Sequence, residues 1–253
     1  MSALPASLRA LLTRLIDYAG LYPPAALPLA DVAARYRAYA ASPESWILNR
    51  LVLPAAHLDA IEPSWRVTLL VDRDPGSVPP AVECFETKHP RRLSLPTYCE
   101  APLADVPYDA FAKIRTGGLT PDAIPSPQSL AEFILDAARR PTAFKATAGL
   151  HHPIRAERAL TYAADSPRAV MHGFLNVFIA AVFAWHGADY PQLIDIVAET
   201  DIGAFQFSDA DIRWRGNLVT TAQIINARRD FAHSFGSCSF GEPVADLRQL
   251  GLL

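Results

Sequence analysis

The segment Phe111-Ala-Lys-Ile-Arg-Thr-Gly-Gly118 decides the fold, together with Thr142-Ala-Phe-Lys-Ala-Thr-Ala-Gly-Leu-His-His-Pro153. Each segment is typical of a buried strand that carries a lysine and then runs into a glycine-containing turn. Burying an ammonium group costs free energy unless the group is paired or loses its proton. We therefore expect an anionic or carbonyl-bearing ligand at the ends of these two strands.

Around these segments, apolar runs typical of strands alternate with helical stretches. The pattern predicts strands at 47–53, 65–71, 82–87, 93–99, 111–115, 143–147, 204–207 and 234–239. It predicts helices at 5–19, 29–41, 129–139, 169–185, 191–199, 220–229 and 244–250. Such alternation favours a parallel sheet with crossover helices, and the 253 residues suit a (β/α)8 TIM-type barrel. An open doubly wound sheet is the alternative, although no G-x-G-x-x-G motif follows an early strand.

The domain organisation follows from the same pattern. The 22 prolines cluster in connectors, and no repeat or flexible linker interrupts the chain. We predict a single α/β barrel domain over 1–253, in which 1–45 form an N-terminal helical extension that closes the bottom or side of the barrel.

Composition excludes several classes of partner. The chain is 51% apolar and 19% charged, with a formal net charge of −3. Because no basic run is present, we expect no nucleic-acid partner. No apolar run is long enough to span a bilayer, so we expect no membrane partner. The three cysteines form no CxxC pattern, which is typical of reduced thiols in a soluble, cytoplasmic protein. Formation of a homo-oligomer stays open.

Lys113 and Arg115 lie two residues apart and therefore share one face of their strand. Since Ala112 and Ile114 suit an outer face covered by helices, we expect the two cations to point into the barrel. The active sites of such barrels lie at the carboxyl ends of the strands. Lys113 and Arg115 are thus candidates for binding an anionic substrate.

Lys145 has the small residues Ala143 and Thr147 as its neighbours on the same face of the strand. One hypothesis is that burial and the charges of Lys113 and Arg115 lower its pKa, which would make the amine a nucleophile that forms a Schiff base. The alternative is a buried ion pair, with Glu86 or Glu100 as the partner.

The run Phe144-Lys-Ala-Thr-Ala-Gly149 resembles the lysine strand of Schiff-base aldolases, especially the deoxyribose-phosphate aldolase family. In that family a lysine is followed by a small run with threonine and glycine, and a second lysine on a neighbouring strand perturbs it. The resemblance implies that Lys145 is the Schiff-base lysine and Lys113 its perturbing partner. In the family the second lysine follows the reactive one, whereas Lys113 precedes Lys145. The His151-His152-Pro153 extension is not part of the family pattern.

Three further residues are candidates for proton transfer: Glu100, His151 and His152. Adjacent histidines on an extended loop point in different directions, so we expect only one of the pair to face the site. A metal site built from His151, His172, Glu86 and Glu100 is a competing hypothesis, although no H-E-x-x-H spacing supports it.

The remaining candidates would bind the substrate. Backbone N–H groups of Gly117 and Gly118, with those around Ser237 and Ser239, could cradle an anion. Asn176 shares a face with His172 on an apolar helix and could look into the site, or both could be satisfied within the core. Cys238 is a weak candidate nucleophile with no obvious partner. We expect Tyr18 and Tyr22 to have a structural role in capping one end of the barrel.

The leading function is therefore that of a carbon–carbon lyase, with a Schiff base between Lys145 and a small anionic carbonyl substrate and no cofactor. One alternative is a divalent-metal-dependent barrel hydrolase or isomerase. The other is a non-catalytic small-molecule-binding barrel in which the lysines only pair with carboxylates.

Overall fold

The computed structural model describes residues 4–253, in which eight parallel strands close into a barrel. Residues 1–3 of the predicted N-terminal extension lie outside this range. Around the barrel each strand pairs with its neighbour in sequence, and the last pairs with the first. The barrel strands are β1 (Ile16–Tyr18), β2 (Leu48–Pro54), β3 (Val67–Leu70), β4 (Val82–Thr87), β5 (Thr97–Cys99), β6 (Phe111–Arg115), β7 (Phe144–Thr147) and β13 (Ala232–Ser237). The predicted (β/α)8 TIM-type fold is confirmed, and the open sheet is excluded.

Seven α-helices accompany the barrel in the part of the chain that the structure describes. None of those in residues 4–253 combines the length and the apolarity needed to cross a bilayer. The helices are α1 (Ala6–Leu12), α2 (Leu29–Ala40), α3 (Pro127–Arg139), α4 (Phe174–Trp185), α5 (Tyr190–Ala198), α6 (Thr221–Asp230) and α7 (Gly241–Gln249).

The first barrel strand lies where the sequence pattern predicts a helix. The predicted helix at 5–19 ends at Leu12, and the chain turns at Arg14, whose φ is 51°. Ile16, Asp17 and Tyr18 are all buried, which suits an interior strand better than one face of an amphipathic helix. The described part of the predicted extension, residues 4–45, is therefore part of the barrel, because it supplies β1 and the crossover helix α2.

The chain between β7 and β13 forms two small antiparallel sheets beside the barrel. One consists of β8 (Ala156–Ala159) and β9 (Arg168–Met171), and the other of β10 (Phe205–Phe207), β11 (Asp211–Trp214) and β12 (Asn217–Thr220). Two predictions are corrected here. The strand at 204–207 belongs to the second small sheet, and the helix at 169–185 begins only at Phe174, because Arg168–Met171 pair with β8.

One side of the barrel has short connections. In the described chain no α-helix lies between β2 and β6, where only short 3-10 turns occur. Nine of the 22 prolines fall between Pro54 and Pro107. Proline lacks a backbone N–H and disfavours helix interiors, so this composition explains the missing crossover helices. The crossover helices of a regular (β/α)8 barrel are thus absent on this side of the described chain.

The opposite side is covered by α4, the most apolar helix of the chain. Its residues from Phe174 to Ala184 are all buried. Phe178 packs on Phe144 of β7 and on Phe235 of β13, with ring centroids 6.3 Å and 5.9 Å apart. These contacts fix the outer faces of β7 and β13. The alternate residues of both strands, Lys145 and Ser234, consequently point into the barrel.

Candidate functional site

Two of the three lysines in the sequence meet inside the barrel. Lys113 on β6 and Lys145 on β7 are partners in the register of these neighbouring strands. Lys145 is 1% exposed and Lys113 is 8% exposed. The inward orientation predicted for Lys113 is therefore found, with Ala112 buried and Ile114 packed against the outer core.

Glu86 on β4 bridges the two lysines. One carboxylate oxygen, Oε1, lies 2.5 Å from Lys145 Nζ, and the other, Oε2, lies 2.7 Å from Lys113 Nζ. Burial alone raises the pKa of Glu86, but the charges and hydrogen bonds of Lys113 and Lys145 outweigh it and lower the pKa to about 2. Glu86 is therefore ionised at neutral pH and holds both ammonium groups.

Asp17 on β1 is the second partner of Lys145, and the sequence pattern does not identify it. The side chain of Asp17 is fully buried and accepts a hydrogen bond from Lys145 Nζ. Ser234 Oγ donates to Oδ2 at 2.8 Å, and Asn49 Nδ2 donates to Oδ1 at 2.7 Å. A carboxylate with three side-chain donors is fixed in place.

The charge state of Lys145 differs from the hypothesis of a lowered pKa. Burial alone lowers the pKa of Lys145, but the charges of Asp17 and Glu86 outweigh it and raise the pKa above its ordinary value. The sequence alternative of an ion pair with Glu86 is the arrangement found. Lys145 is thus a protonated, doubly paired cation.

Glu100 and Arg115 lie closer to solvent at the carboxyl end of the barrel. Glu100 Oε2 lies 2.9 Å from Lys113 Nζ, and its Oε1 lies 3.0 Å from the Arg115 guanidinium. The Arg115 side chain is 52% exposed, whereas that of Glu100 is 20% exposed. Burial raises the pKa of Glu100, but Lys113 and Arg115 outweigh this and lower the pKa below its usual value. Arg115 is the most exposed cation of the cluster.

Tyr22 lies above the buried charges, on the loop that follows β1. Its hydroxyl is buried and finds no hydrogen-bond partner among the described residues. Burial and the negative charge of Glu86 raise the pKa of this hydroxyl, so it stays protonated. Tyr18 lies in the outer layer instead, where it packs edge-on against Tyr39 at 5.2 Å. Of the two tyrosines, Tyr22 is the one that adjoins the cluster.

His151 and His152 do not point in different directions as expected. Both pair with acids of α7, one turn apart: Nδ1 of His151 lies 3.0 Å from Glu242 and Nδ1 of His152 lies 2.5 Å from Asp246. Burial raises the pKa of Glu242, but its interactions with His151, His152 and Tyr162 together outweigh burial and lower the pKa. The histidine pair therefore holds the loop after β7 against α7.

Glu242 also accepts a hydrogen bond from the Tyr162 hydroxyl, at 3.3 Å. That hydroxyl lies 3.7 Å from Cys238 Sγ. Burial raises the pKa of the Cys238 thiol. Cys238 is consequently a poor nucleophile at neutral pH.

The Asn176 side chain forms hydrogen bonds within the protein core, in contrast to its predicted role in substrate binding. Its fully buried amide accepts from the Arg155 backbone N–H at 3.0 Å. The same amide donates to the carbonyls of Ile196 and Glu199, both at 2.9 Å. His172 Nε2 lies 2.8 Å from the Pro125 carbonyl oxygen. The sequence alternative, in which both groups are satisfied within the core, describes Asn176 well.

The candidate anion cradle divides into two places. Gly117 packs against Gly149 so closely that a Cβ on Gly117 would lie 2.9 Å from the Gly149 Cα. Ser239 Oγ accepts from the Glu242 N–H at 3.1 Å, and Ser237 Oγ accepts from the Ser239 N–H at 3.4 Å. A Cβ on Gly118 would lie 2.6 Å from the Ala123 Cβ. These glycines and serines shape the turns after β6 and β13, and anion binding there stays a prediction.

The proposed metal ligands are not brought together. Glu86 and Glu100 pair with lysines, whereas His151 contacts Glu242 and His172 contacts Pro125. Over residues 4–253, no group of three or more His, Cys, Asp or Glu side chains has a metal-binding arrangement.

Comparison of the chain with protein-family profiles, with curated proteins and with solved structures finds no match. The class that the fold defines is a (β/α)8 barrel with a buried lysine–carboxylate cluster at its centre. The local likeness to aldolase strands has no support from a family match.

Proposed function

We propose that this barrel is a lyase-like enzyme that forms a Schiff base between a buried lysine and a small anionic carbonyl substrate. The observation that carries the proposal is the pair of lysines held by one carboxylate, Glu86, on neighbouring strands. A second cation beside a buried amine favours the neutral form of that amine, which is one way of activating a lysine nucleophile. The carboxylates that pair with the lysines favour the ammonium form, so activation also needs a base that removes the proton when the substrate binds.

The geometry favours Lys113 over Lys145 as the nucleophile. Lys145 is 1% exposed and is held by both Asp17 and Glu86, so its amine has little freedom to reach a substrate. Lys113 is 8% exposed and lies beside Glu100, which is itself partly exposed. We therefore assign the imine to Lys113 and the role of fixed neighbouring cation to Lys145. This exchanges the roles that the aldolase resemblance implies, and it places the reactive lysine before the second lysine, as in that family.

Arg115 and Glu100 supply the remaining steps. When the anionic group of a substrate binds Arg115, Glu100 loses one of the two cations that lower its pKa. Glu100 then becomes a stronger base and takes a proton from Lys113. The free amine attacks the carbonyl carbon, and the resulting carbinolamine loses water to give the imine. The proton that Glu100 has taken from Lys113 returns to the departing oxygen, so imine formation releases water without needing a further acid.

Borohydride trapping tests the proposal. The protein is incubated with small aldehydes and 2-oxo acids and reduced, and its intact mass and peptide map are measured. Because the chain has only Lys88, Lys113 and Lys145, the peptide map assigns the adduct to one lysine or to the terminal amine. We expect an adduct on Lys113 that is lost in Lys113→Arg and kept in Lys88→Arg. An adduct on Lys145 would restore the assignment implied by the resemblance.

The non-catalytic binding barrel is the second candidate, because every charge of the cluster already has a partner. Lys113 pairs with Glu86 and Glu100, and Lys145 pairs with Asp17 and Glu86. Absence of any lysine adduct, with saturable binding of a 2-oxo acid in wild type that is lost in Arg115→Met, would favour this candidate over the lyase.

A further inference from the structure

A cavity opens at the opposite end of the barrel from Arg115. It has a volume of about 740 Å³, and the amino-terminal ends of several barrel strands line it together with α1 and α6. Its inner end is closed by Asn49 and Tyr98, which contact the lysine cluster from below. Asn49 donates to Asp17 at 2.7 Å, and Lys145 Nζ lies 5.5 Å from the centre of the Tyr98 ring. The cavity is thus a separate space beneath the candidate active site.

The charge of this cavity is strongly positive. Glu83 is the one carboxylate among the described residues that line the cavity. It pairs with Arg50 and with Arg66, each at 2.7 Å. The arginines that line the cavity are Arg9, Arg14, Arg50, Arg228 and Arg229. Arg229 pairs with Asp230 at 2.6 Å, so Arg9, Arg14 and Arg228 are the arginines of the lining that have no carboxylate partner in residues 4–253. In a chain whose formal net charge is −3, this local excess of cations favours an anion.

Arg228 is the cation that most needs a partner. Its guanidinium donates to the backbone carbonyls of Ala232 and, at 3.1 Å, of Thr13, and its Nε is buried without a partner among residues 4–253. No carboxylate of the described chain forms a salt bridge with it. The Arg228 side chain is partly exposed, and its guanidinium also lies 5.3 Å from the centre of the Phe178 ring. A partly buried guanidinium without a counter-ion loses hydration, and a bound anion would compensate for that loss. The two carbonyls hold Arg228 in position before any ligand arrives.

The remaining described residues that line the cavity carry no charge. His233 Nδ1 accepts from the Tyr98 hydroxyl at 2.8 Å, and its Nε2 lies 3.2 Å from the Arg229 carbonyl oxygen. Burial and the charge of Arg228 lower the pKa of His233 to about 4, so the ring is neutral at physiological pH. With Phe111 and Ile225, these side chains form an apolar surface around the arginines. The volume is within the range of small-molecule sites.

We propose that the cavity binds a small organic anion, in which a phosphate or carboxylate group contacts Arg228 and a flat apolar body lies against Tyr98, Phe111 and His233. The site is independent of the lyase proposal, since it lies on the other side of Asn49 and Tyr98. Phosphate and carboxylate share the chemistry that a guanidinium recognises, and the experiment distinguishes them.

Isothermal titration calorimetry with the full chain tests this. The probes are phenyl phosphate and benzoate. Inorganic phosphate tests the anionic group without the ring, phenol tests the ring without the anionic group, and benzylamine tests the ring with a positive charge. We expect saturable binding of phenyl phosphate or benzoate that weakens as the salt concentration rises, with little or no binding of phenol and benzylamine. Whichever of phenyl phosphate and benzoate binds more tightly identifies the anionic group.

Two sets of variants locate the binding. Arg228→Met should weaken binding by about tenfold or more, whereas Arg139→Met, on the exposed face of α3, should not change it. Because Arg228→Met also loses contacts to two carbonyls, Ile225 gives a second test: its side chain is 53% exposed and lines the cavity. Ile225→Glu should weaken binding by about tenfold and Ile225→Gln much less. Absence of binding, equal binding of phenol, or binding unchanged in both Arg228→Met and Ile225→Glu would overturn the proposal.

Discussion

Lys145 and Asp17 form an ion pair inside the barrel, although β13 lies between the strands that carry them. Both side chains are fully or almost fully buried, and Ser234 of the intervening strand donates to the same Asp17 oxygen. The pair joins the first barrel strand to the seventh, across the closure made by the eighth. It therefore ties the start of the chain to its central strands.

Replacing Lys145 by methionine should strongly destabilise the protein. The variant leaves Asp17 buried without its cation and removes one partner of Glu86. Breaking a buried ion pair from one side typically costs about 3–5 kcal/mol, and we expect a loss of that size in the free energy of unfolding. Urea denaturation followed by circular dichroism measures it.

A matched control and a double variant separate this effect from general damage. Lys88 is exposed, so Lys88→Met should change the unfolding free energy by less than about 0.5 kcal/mol. The double variant Asp17→Asn/Lys145→Met removes both charges and should recover part of the loss. A Lys145→Met protein as stable as Lys88→Met would contradict the ion-pair description.

The stability of the fold should fall in acid because of Glu86. The folded-state pKa of Glu86 is about 2, against 4.5 for an unperturbed glutamate. A depressed pKa contributes stability that is present above the unfolded value and is lost as the pH falls through the folded one. We expect this part of the unfolding free energy to decline between pH 4.5 and about 2.

The variant Glu86→Gln isolates that contribution. In it Lys113 keeps Glu100 and Lys145 keeps Asp17, so neither lysine is left alone. The variant should be less stable than wild type at pH 7, and its stability should depend less steeply on pH in the acid range. Denaturation curves collected at a series of pH values measure both slopes. Parallel slopes for the two proteins would mean that another carboxylate dominates.

The two lysine strands could be predicted from the sequence because their signals are local. The strand bounds Phe111–Arg115 match the prediction, and the inward face follows from the alternation of Ala112, Lys113 and Ile114. The carboxylates that pair with these lysines were less well defined, because the sequence allowed either Glu86 or Glu100 as the partner of Lys145. Glu86 lies 59 residues from Lys145 in sequence, and only the closed barrel brings the two together.

The sequence could not identify Asp17 as a partner of Lys145, because both its strand and its contacts depend on the tertiary fold. Its strand has only three residues, and its apolar pattern continues from α1 without a glycine or proline between them. Its partners Asn49, Lys145 and Ser234 lie 32, 128 and 217 residues away. The direction of the Lys145 pKa depends on Asp17, so that prediction failed with it.

Gly149→Ala should destabilise the turn after β7 for two physical reasons. The residue has a φ of +78°, which a side chain disfavours, and an added Cβ would lie 2.8 Å from the Gly117 Cα. Gly76 is a matched control, since its φ is +75° and nothing lies within 4 Å of the added Cβ. We expect Gly76→Ala to cost about 1 kcal/mol and Gly149→Ala about 3 kcal/mol, as measured by urea denaturation. Equal costs would show that the contact with Gly117 relaxes freely.

Asn176→Ala should reduce stability, because the side chain serves the fold and not a ligand. The variant leaves the Arg155 N–H and the carbonyls of Ile196 and Glu199 without their buried partner. Each unsatisfied buried group costs about 1–3 kcal/mol, so we expect a total loss of about 3 kcal/mol in the free energy of unfolding. Asn217→Ala, in an exposed strand, should cost less than about 0.5 kcal/mol. If Asn176→Ala retained wild-type stability but lost binding of an anionic carbonyl compound, Asn176 would belong to the ligand site after all.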